Sequence, residues 1–153
     1  MHTTLLPNDS RENSLTTASL PEGDRARATL STRILVVDDE PLIADTIVQI
    51  LNRNGFIAEA AYGGREAIEA ARLTSPELIL SDVLMPHIDG VEAAITIQKF
   101  LPDARIVLFS GQAATVEILA RARQRGYQFE LLAKPLHPTQ LIKHLHQDSE
   151  AGK

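Results

Sequence analysis

Short apolar runs alternate with longer amphipathic segments along most of the chain. The runs are rich in β-branched residues and end at turn residues, which predicts buried strands at residues 34–37, 56–60, 78–81, 106–109 and 129–133. In the segments that follow them, apolar residues recur at helical spacing, which predicts helices at residues 41–54, 65–73, 91–100, 113–125 and 138–147. Strands that alternate regularly with helices predict an α/β fold, with helices on both faces of a parallel sheet.

The first two helices have the clearest predicted apolar positions. In the first helix these positions are Leu42, Ile43, Ile47, Ile50 and Leu51. In the second helix they are Ala67, Ile68 and Ala71. We expect these side chains to face the sheet.

The two ends of the chain lack this periodicity. Residues 1–32 are rich in polar residues, with leucines that follow no period, and we expect a disordered or weakly ordered arm. A more specific alternative is that Leu15 and Leu20 dock onto a partner. Residues 33–147 are the predicted folded domain, and residues 148–153 a short tail. Because so few residues follow, we expect a domain that stands alone, without an attached output domain.

Composition narrows the class of protein further. The net charge of -5, without a basic stripe, argues against direct binding to nucleic acid. The absence of cysteine removes disulfides, thiol catalysis and thiolate metal sites. No apolar stretch approaches the ~20 residues of a membrane span, and the first residues do not resemble a signal peptide. We therefore expect a cytoplasmic protein that does not bind membranes.

Four of the predicted strands end in polar residues. Asp38-Asp39 follow the first strand, Asp82 the third, Ser110 the fourth and Lys134 the fifth. In an open parallel sheet the carboxyl ends of the strands share one edge, and ligands bind there. Carboxylates are ligands that Mg²⁺ prefers, while a hydroxyl and an ammonium can contact a phosphoryl oxygen. Asp82 is the candidate nucleophile toward phosphorus, which would form an acyl phosphate.

Each of these residues also has a simpler structural explanation. Acidic residues favour helix N-termini, aspartate is common in turns, serine caps helices and lysine is usually solvated. Their joint occurrence at successive strand ends favours a common site.

This arrangement resembles the receiver domain of two-component response regulators, over about residues 33–147. The motifs that carry the resemblance are Asp38-Asp39, Asp82, Met85-Pro86, Asp89-Gly90, Ser110-Gly111 and Lys134-Pro135, in this order and at about these separations. The resemblance implies a flavodoxin-like (CheY-like) doubly wound fold, a five-stranded parallel sheet in the order 2-1-3-4-5 with five helices.

The resemblance also implies how the acidic residues act. Asp82 takes a phosphoryl group from a phosphohistidine on a sensor histidine kinase. Asp39 binds Mg²⁺ directly and Asp38 does so largely through water. Asp82 and the backbone carbonyl of Leu84 complete the set of protein ligands to the metal.

The remaining implied roles concern the response to phosphorylation. Ser110 is the hydroxyl switch that swings toward the phosphate, and Lys134 contacts the phosphate. The phosphorylated protein changes its affinity for an unknown downstream protein, and homodimerisation on phosphorylation is left open. We expect a switch rather than an enzyme that acts on an external substrate.

Two departures from the family pattern affect these expectations. Receivers usually carry Tyr or Phe three residues before the lysine, and Leu131 occupies that position here. Gly126 is one residue further from Lys134 than the pattern suggests, as if an extra residue or bulge preceded the fifth strand. Phe129 is an alternative switch aromatic, although its place in the alternation favours a core position.

Beside the phosphoacceptor, Leu84 and Gln112 occupy variable positions that can help to place an attacking water. The apolar Leu84 suggests slow self-dephosphorylation. A Leu84→Asn variant that loses label at an unchanged rate would contradict this hypothesis.

Two other functions remain open at this point. One is a degenerate receiver that serves only as a protein-interaction scaffold, which Leu131 favours. The other is a Mg²⁺-dependent hydrolase that works through an aspartyl phosphate. The histidines form no metal-binding pattern and we expect them on the surface; they are His2, His87, His137, His144 and His146.

Overall fold

A computed structural model describes residues 31–111 and 114–151 of the chain. Its strands are β1 (Arg33–Val37), β2 (Ile57–Ala61), β3 (Leu78–Asp82), β4 (Arg105–Ser110) and β5 (Glu130–Ala133). Its helices are α1 (Pro41–Arg53), α2 (Gly64–Thr74), α3 (Gly90–Phe100), α4 (Ala114–Gln124) and α5 (Pro138–Ala151). The strands form one parallel sheet in the order β2-β1-β3-β4-β5, which confirms the predicted fold class and strand order.

The start of β2 differs from the prediction by one residue. Phe56 was expected to begin this strand, but the strand begins at Ile57. The backbone N–H of Phe56 instead donates to the carbonyl of Leu51 in the last turn of α1. The residue therefore belongs to the end of the helix, where its N–H and that of Asn54 both donate to the Leu51 carbonyl.

The last helix is longer than predicted, since it continues past residue 147 to Ala151. No glycine or proline interrupts the chain before Gly152, so the sequence contains no earlier stop signal. Most of the predicted arm, including Leu15 and Leu20, lies outside the described residues, as does Gln112. Within the described part of the chain, none of the helices has both the length and the apolar character that crossing a membrane requires.

Apolar side chains from the strands fill two cores, one on each face of the sheet. On one face, Leu35 and Val37 of β1 pack with residues of α2, α3 and α4. On the other face, Ile34 and Val36 pack with residues of α1 and α5. Because both faces are covered, the central strands are continuous apolar runs without polar alternation. The carboxyl ends of these strands are therefore held in fixed relative positions by packing on both sides.

The buried face of α1 corrects one expectation. Its buried side chains are Ala44, Ile47 and Leu51, whereas Leu42 is 80% exposed. At 100° per residue, Leu42 lies about 180° around the helix from Leu51, so both cannot face the sheet. In α2, Ala67 and Ala71 are buried as predicted.

Charged side chains at the amino end of the sheet are paired. The guanidinium of Arg105 donates two hydrogen bonds, of 2.6 and 2.7 Å, to the carboxylate of Glu130, and His144 Nε2 lies 3.5 Å from that carboxylate. We call these three residues the amino-edge cluster. The Arg105 hydrogen bonds lower the pKa of the Glu130 carboxyl, against the opposing effect of burial. His144 is thus half-buried rather than a free surface residue, while His146 stacks on Phe56 at 5.1 Å between ring centroids.

Candidate functional site

Three carboxylates meet at the carboxyl edge of the sheet, where β1 and β3 end. Asp38 and Asp39 directly follow β1, and Asp82 is the last residue of the neighbouring strand β3. One oxygen from each carboxylate lies within 4.8 Å of the other two. Asp38 and Asp82 are buried, whereas Asp39 is exposed. The structure thus brings together the three acidic residues that the sequence singles out, and we call them the acid cluster.

The carboxylate of Asp38 is only partly hydrogen bonded. Its Oδ1 accepts a hydrogen bond of 2.9 Å from the backbone N–H of Glu40. Its Oδ2 is buried and has no hydrogen-bond partner within residues 31–111 and 114–151. Burial raises the pKa of the Asp38 carboxyl, the Glu40 hydrogen bond opposes this effect, and the charge of Asp82 raises the pKa further. A buried carboxylate oxygen without a donor is suited to binding a cation.

Asp82 is held by two donors from different parts of the fold. Its Oδ2 accepts from the Lys134 ammonium at 3.0 Å, and its Oδ1 accepts from the backbone N–H of Leu84 at 3.2 Å. The side chain of Lys134 is 35% exposed, and its Nζ lies 5.2 Å from the centre of the Phe109 ring. The peptide bond between Lys134 and Pro135 is cis. The ammonium of Lys134, the residue directly after β5, lies 3.0 Å from Asp82 and thus partly compensates the negative charge at the end of β3.

The loop after Asp82 closes tightly onto the strand end. The N–H of Gly90 donates to the carbonyl of Val83 at 2.8 Å, and a side chain at position 90 would overlap the carbonyl oxygen of Asp82. Asp89 caps α3, because its Oδ1 accepts from the N–H of Glu92 at 2.8 Å. The Asp-Gly pair thus has a structural role, in that it lets α3 begin against the strand that carries Asp82.

Ser110 lies at the end of β4, next to β3 and β5. Its backbone carbonyl accepts from the N–H of Lys134 at 3.2 Å. Its hydroxyl is hydrogen bonded to the hydroxyl of Thr115 in the first turn of α4, and both residues are buried. Sequence reasoning did not single out Thr115. The sequence contained one signal for it: Thr115 is a hydroxyl residue near the start of the predicted helix that follows Ser110.

The aromatic position of the family pattern lacks an aromatic ring here. Leu131 lies on β5 opposite Leu108 of β4, and it is 42% exposed. Phe129 precedes β5, is partly buried against the core and stacks on Tyr127, with 6.2 Å between ring centroids. Phe129 therefore contributes to packing, which agrees with its expected core position.

A cavity of about 540 Å³ opens beside Asp39, between the loops that precede α2 and α3. Its lining includes Arg65 and His87, and His87 has a left-handed backbone with φ of 68°. The loops approach closely, because a Cβ on Gly64 would lie 2.6 Å from the carbonyl oxygen of Ile88. Sequence reasoning missed this cavity, since its walls come from loops that no motif connects.

The chemistry of the acid cluster fits a hard divalent cation. All the available side-chain ligands are carboxylate oxygens, one of which is buried without a donor. Mg²⁺ binds few protein carboxylates and keeps several waters, which suits a site with one exposed side. The fold and this edge together define a class of protein, the doubly wound α/β domains. In this class, carboxylates suited to a cation and a lysine lie together at the carboxyl ends of the strands.

Comparison with known proteins identifies the family within this class. The family model for the response regulator receiver domain matches residues 34–146. The chain belongs to this family, which confirms the resemblance seen in the sequence. Receiver domains are signalling domains that interact with histidine kinases and downstream targets, and they bind Mg²⁺ at an acidic pocket.

Individual relatives agree with this assignment. The chemotaxis protein CheY of Thermotoga maritima is 27% identical over 119 residues, a match that covers 77% of this chain and 98% of that protein. The transcriptional regulatory protein PdtaR of Mycobacterium tuberculosis is 34% identical over 120 residues, which cover 76% of this chain and only 56% of PdtaR.

The fold also agrees with solved structures. The chemotaxis protein CheY4 of Vibrio cholerae has a TM-score of 0.69 at 25% identity, covering 76% of this chain and 98% of that chain. A two-component transcriptional regulator of Clostridium phytofermentans has a TM-score of 0.68 at 30% identity, covering 78% of this chain and 94% of that chain.

Proposed function

We propose that this chain is a phosphoacceptor response regulator. It takes a phosphoryl group from a sensor histidine kinase onto Asp82, with Mg²⁺, and thereby changes its affinity for a partner protein. The observation that carries the proposal is the surroundings of Asp82, whose carboxylate lies among two other carboxylates and 3.0 Å from the Lys134 ammonium. This charge distribution suits a group that receives negative phosphoryl oxygens with a bound cation.

The acid cluster supplies the metal ligands in this proposal. Asp39 would hold Mg²⁺ directly, Asp38 would hold it largely through water, and Asp82 and the Leu84 carbonyl would complete the protein ligands. A Mg²⁺ ion held by these residues would supply the positive charge that offsets the carboxylates and the phosphoryl oxygens. The unpartnered Oδ2 of Asp38 supports this assignment, because a buried charge without a donor is otherwise costly.

The chain's own residues position the reacting groups. A phosphorus–oxygen bond forms to the Asp82 carboxylate as the phosphorus–nitrogen bond of the phosphohistidine breaks, and the leaving imidazole keeps that electron pair. Lys134 neutralises charge on the transferred group, since its ammonium is already in contact with Asp82. Ser110 then donates its hydroxyl hydrogen to a phosphoryl oxygen.

The test is to incubate the full chain with Mg²⁺ and a small acyl phosphate or phosphoramidate, and to measure phosphate uptake from the mass of the intact protein. We expect one phosphate per chain, absent without Mg²⁺ and absent in Asp82→Asn. The matched control is Asp103→Asn, an exposed acidic residue in the loop before β4, which should take up phosphate as the parent does. Uptake by Asp82→Asn at the parent's level would contradict the proposal.

The same assay separates the alternatives. Continued release of inorganic phosphate from an excess of donor would favour the hydrolase. No modification of the folded parent would favour the scaffold. The presence of both Asp82 and Lys134 in contact supports the switch over the scaffold.

The lifetime of the phosphate depends on the residue two positions after Asp82. Leu84 offers its backbone N–H to Asp82 but has no polar side-chain group to orient a water. We therefore expect slow self-dephosphorylation and faster loss of label from Leu84→Asn, measured by the decay of labelled protein after removal of the donor.

The partners follow from the proposed role. A sensor histidine kinase supplies the phosphoryl group, and a downstream protein reads the state of Asp82. A cytoplasmic location and dimerisation on phosphorylation remain predictions. The first rests on the cysteine-free composition.

A further inference from the structure

A buried hydrogen bond between two hydroxyl groups joins β4 to α4. The hydroxyl of Ser110, the last residue of β4, contacts the hydroxyl of Thr115 in the first turn of α4. Ser110 is 8% exposed and Thr115 is 2% exposed, so the bond is shielded from water. Thr115 is thus a buried polar residue in direct contact with a residue of the proposed site.

We propose that Thr115 is the positioning residue for the Ser110 switch. It holds the Ser110 hydroxyl against α4 in the resting protein, and phosphorylation of Asp82 exchanges this bond for one between Ser110 and the phosphoryl group. The loss of the bond changes the packing of the first turn of α4. The inference rests on the proposed function, because the competing hydrogen bond is to a phosphate on Asp82.

The exchange follows from rotation of the Ser110 side chain. A serine hydroxyl can donate one hydrogen bond and accept others, so the two contacts compete because its oxygen occupies one rotamer at a time. When Ser110 turns its oxygen toward a phosphoryl group, it can no longer keep its geometry with Thr115. A hydrogen bond to a charged phosphoryl oxygen is roughly twice as strong as one between neutral hydroxyls. The bond to Thr115 therefore favours the resting state until phosphate is present, and the phosphate then reverses the preference.

The position of Thr115 explains how a signal reaches the face of α4 and β5 without an aromatic ring. Leu131 lines a groove with Val116 and Leu119, which follow Thr115 on α4. An aliphatic side chain at position 131 cannot reproduce the inward turn of a tyrosine or phenylalanine. Since Thr115 belongs to the helix that forms one wall of this groove, release of its hydroxyl acts on that wall directly.

The experiment compares Thr115→Val, which removes the hydroxyl at nearly constant shape, with Thr115→Ser, which keeps it. Phosphate uptake from a small phosphodonor with Mg²⁺ is followed by intact mass. We expect Thr115→Val to react roughly fivefold faster than the parent, because one resting-state hydrogen bond has been removed. Thr115→Ser should react at the parent's rate.

A second readout concerns the helix. The backbone amide signals of α4 in unphosphorylated Thr115→Val should lie part of the way toward those of the phosphorylated parent. A purely structural role for Thr115 would not shift them in that direction. Thr115→Ala provides the same test should the valine variant fail to fold, which urea unfolding detects.

A double-mutant cycle with Ser110→Ala isolates the contact. In the Ser110→Ala background, Thr115→Val should change the rate of uptake by less than twofold, since the partner hydroxyl is already absent. The inference would be wrong, and the proposed function untouched, if the parent and Thr115→Val took up phosphate at equal rates. The same holds if Thr115→Val had its full effect in the Ser110→Ala background. A folded parent that takes up no phosphate would instead overturn the proposed function, and the inference with it.

Discussion

At the amino end of the sheet every charge of the amino-edge cluster has a partner, whereas at the carboxyl edge the acid cluster shares one lysine. The pKa directions differ accordingly. Hydrogen bonds from Arg105 lower the pKa of the Glu130 carboxyl, while burial raises the pKa of the Asp38 carboxyl. The same sheet thus carries a satisfied set of charges at its amino end and an incompletely satisfied set at its carboxyl edge.

This difference separates stability from function. A paired carboxylate stabilises the fold when it is ionised, whereas a buried carboxylate with one oxygen that lacks a donor destabilises the fold in its charged form. Groups kept in such an unfavourable state are characteristic of functional sites, where a ligand supplies the missing interaction. Substitutions at the amino end should therefore change stability alone, and substitutions at the carboxyl edge should change phosphate and metal binding.

The largest expected effect comes from the cation of the carboxyl edge. Lys134→Met removes the ammonium that lies 3.0 Å from Asp82, so the charge of the incoming phosphoryl group loses a stabilising partner. We expect phosphate uptake to slow by about 100-fold, or about 2.7 kcal/mol of transition-state stabilisation. The measurement is the initial rate of uptake from a small phosphodonor at saturating Mg²⁺.

Two controls sharpen this result. Lys143→Met removes an exposed ammonium from α5 and should leave the rate unchanged. Arg105→Met disrupts the amino-edge cluster and should leave the rate of uptake within twofold of the parent's. If Arg105→Met folded normally but lost most of its phosphate uptake, the amino end of the sheet would also contribute to function, which would contradict this comparison.

The next effect concerns Mg²⁺ and the stability of the fold. Because the pKa of the Asp38 carboxyl is raised, the folded state binds this proton more tightly than the unfolded state does. Without Mg²⁺, the Asp38 contribution to the free energy of unfolding should therefore fall as the pH rises above the ordinary value of 3.8. Mg²⁺ at ten times its Kd should stabilise the parent by about 1.4 kcal/mol at neutral pH.

The test is urea unfolding of the parent and Asp38→Asn, in Mg²⁺ and in a chelator. Asp38→Asn should be more stable than the parent in chelator, since a buried charge is removed, and should gain less from Mg²⁺. Asp103→Asn, an exposed acidic residue, should respond to Mg²⁺ as the parent does. An unchanged Mg²⁺ response in Asp38→Asn would show that Asp38 does not contribute to the metal site.

The fold was predictable because local patterns and the final packing agree. Continuous apolar runs such as residues 34–37 are buried on both faces of the sheet, and their residues alternate between the two cores. The exception on α1 is Leu42, which the sequence predicts to face the sheet together with the other apolar residues of this helix. Its angle around the helix places it in solvent at 80% exposure.

The acid cluster was predictable for a topological reason. Parallel strands bring their carboxyl ends to one edge, so residues far apart in the chain, such as Asp38 and Lys134, become neighbours of Asp82. The Ser110 contact with Thr115 depends on side-chain rotamers, and the amino-edge cluster depends on the register of β4 and β5. Neither feature leaves a periodic signal in the sequence.

The smallest effect is expected at the amino-edge cluster. Because the pKa of the Glu130 carboxyl is lowered, its ion pair stabilises the fold above the ordinary value of 4.5, and this stability is lost as the pH falls through the lowered pKa. The Glu130 side chain is 40% exposed, so solvent screening limits the contribution to less than about 1 kcal/mol. The Glu130→Gln variant should therefore be slightly less stable than the parent near neutral pH. In acid, the free energies of unfolding of the two proteins should become equal.

Urea unfolding between about pH 3 and pH 7 measures this convergence. The matched control is Glu117→Gln, which breaks an exposed pair with Arg121 on α4 and should cost about 0.5 kcal/mol or less. Phosphate uptake by Glu130→Gln should equal that of the parent, since the ion pair lies at the opposite end of the sheet from Asp82. A constant stability difference across this pH range would mean that Glu130 acts through packing, because loss of an ion pair must disappear once the carboxyl is protonated.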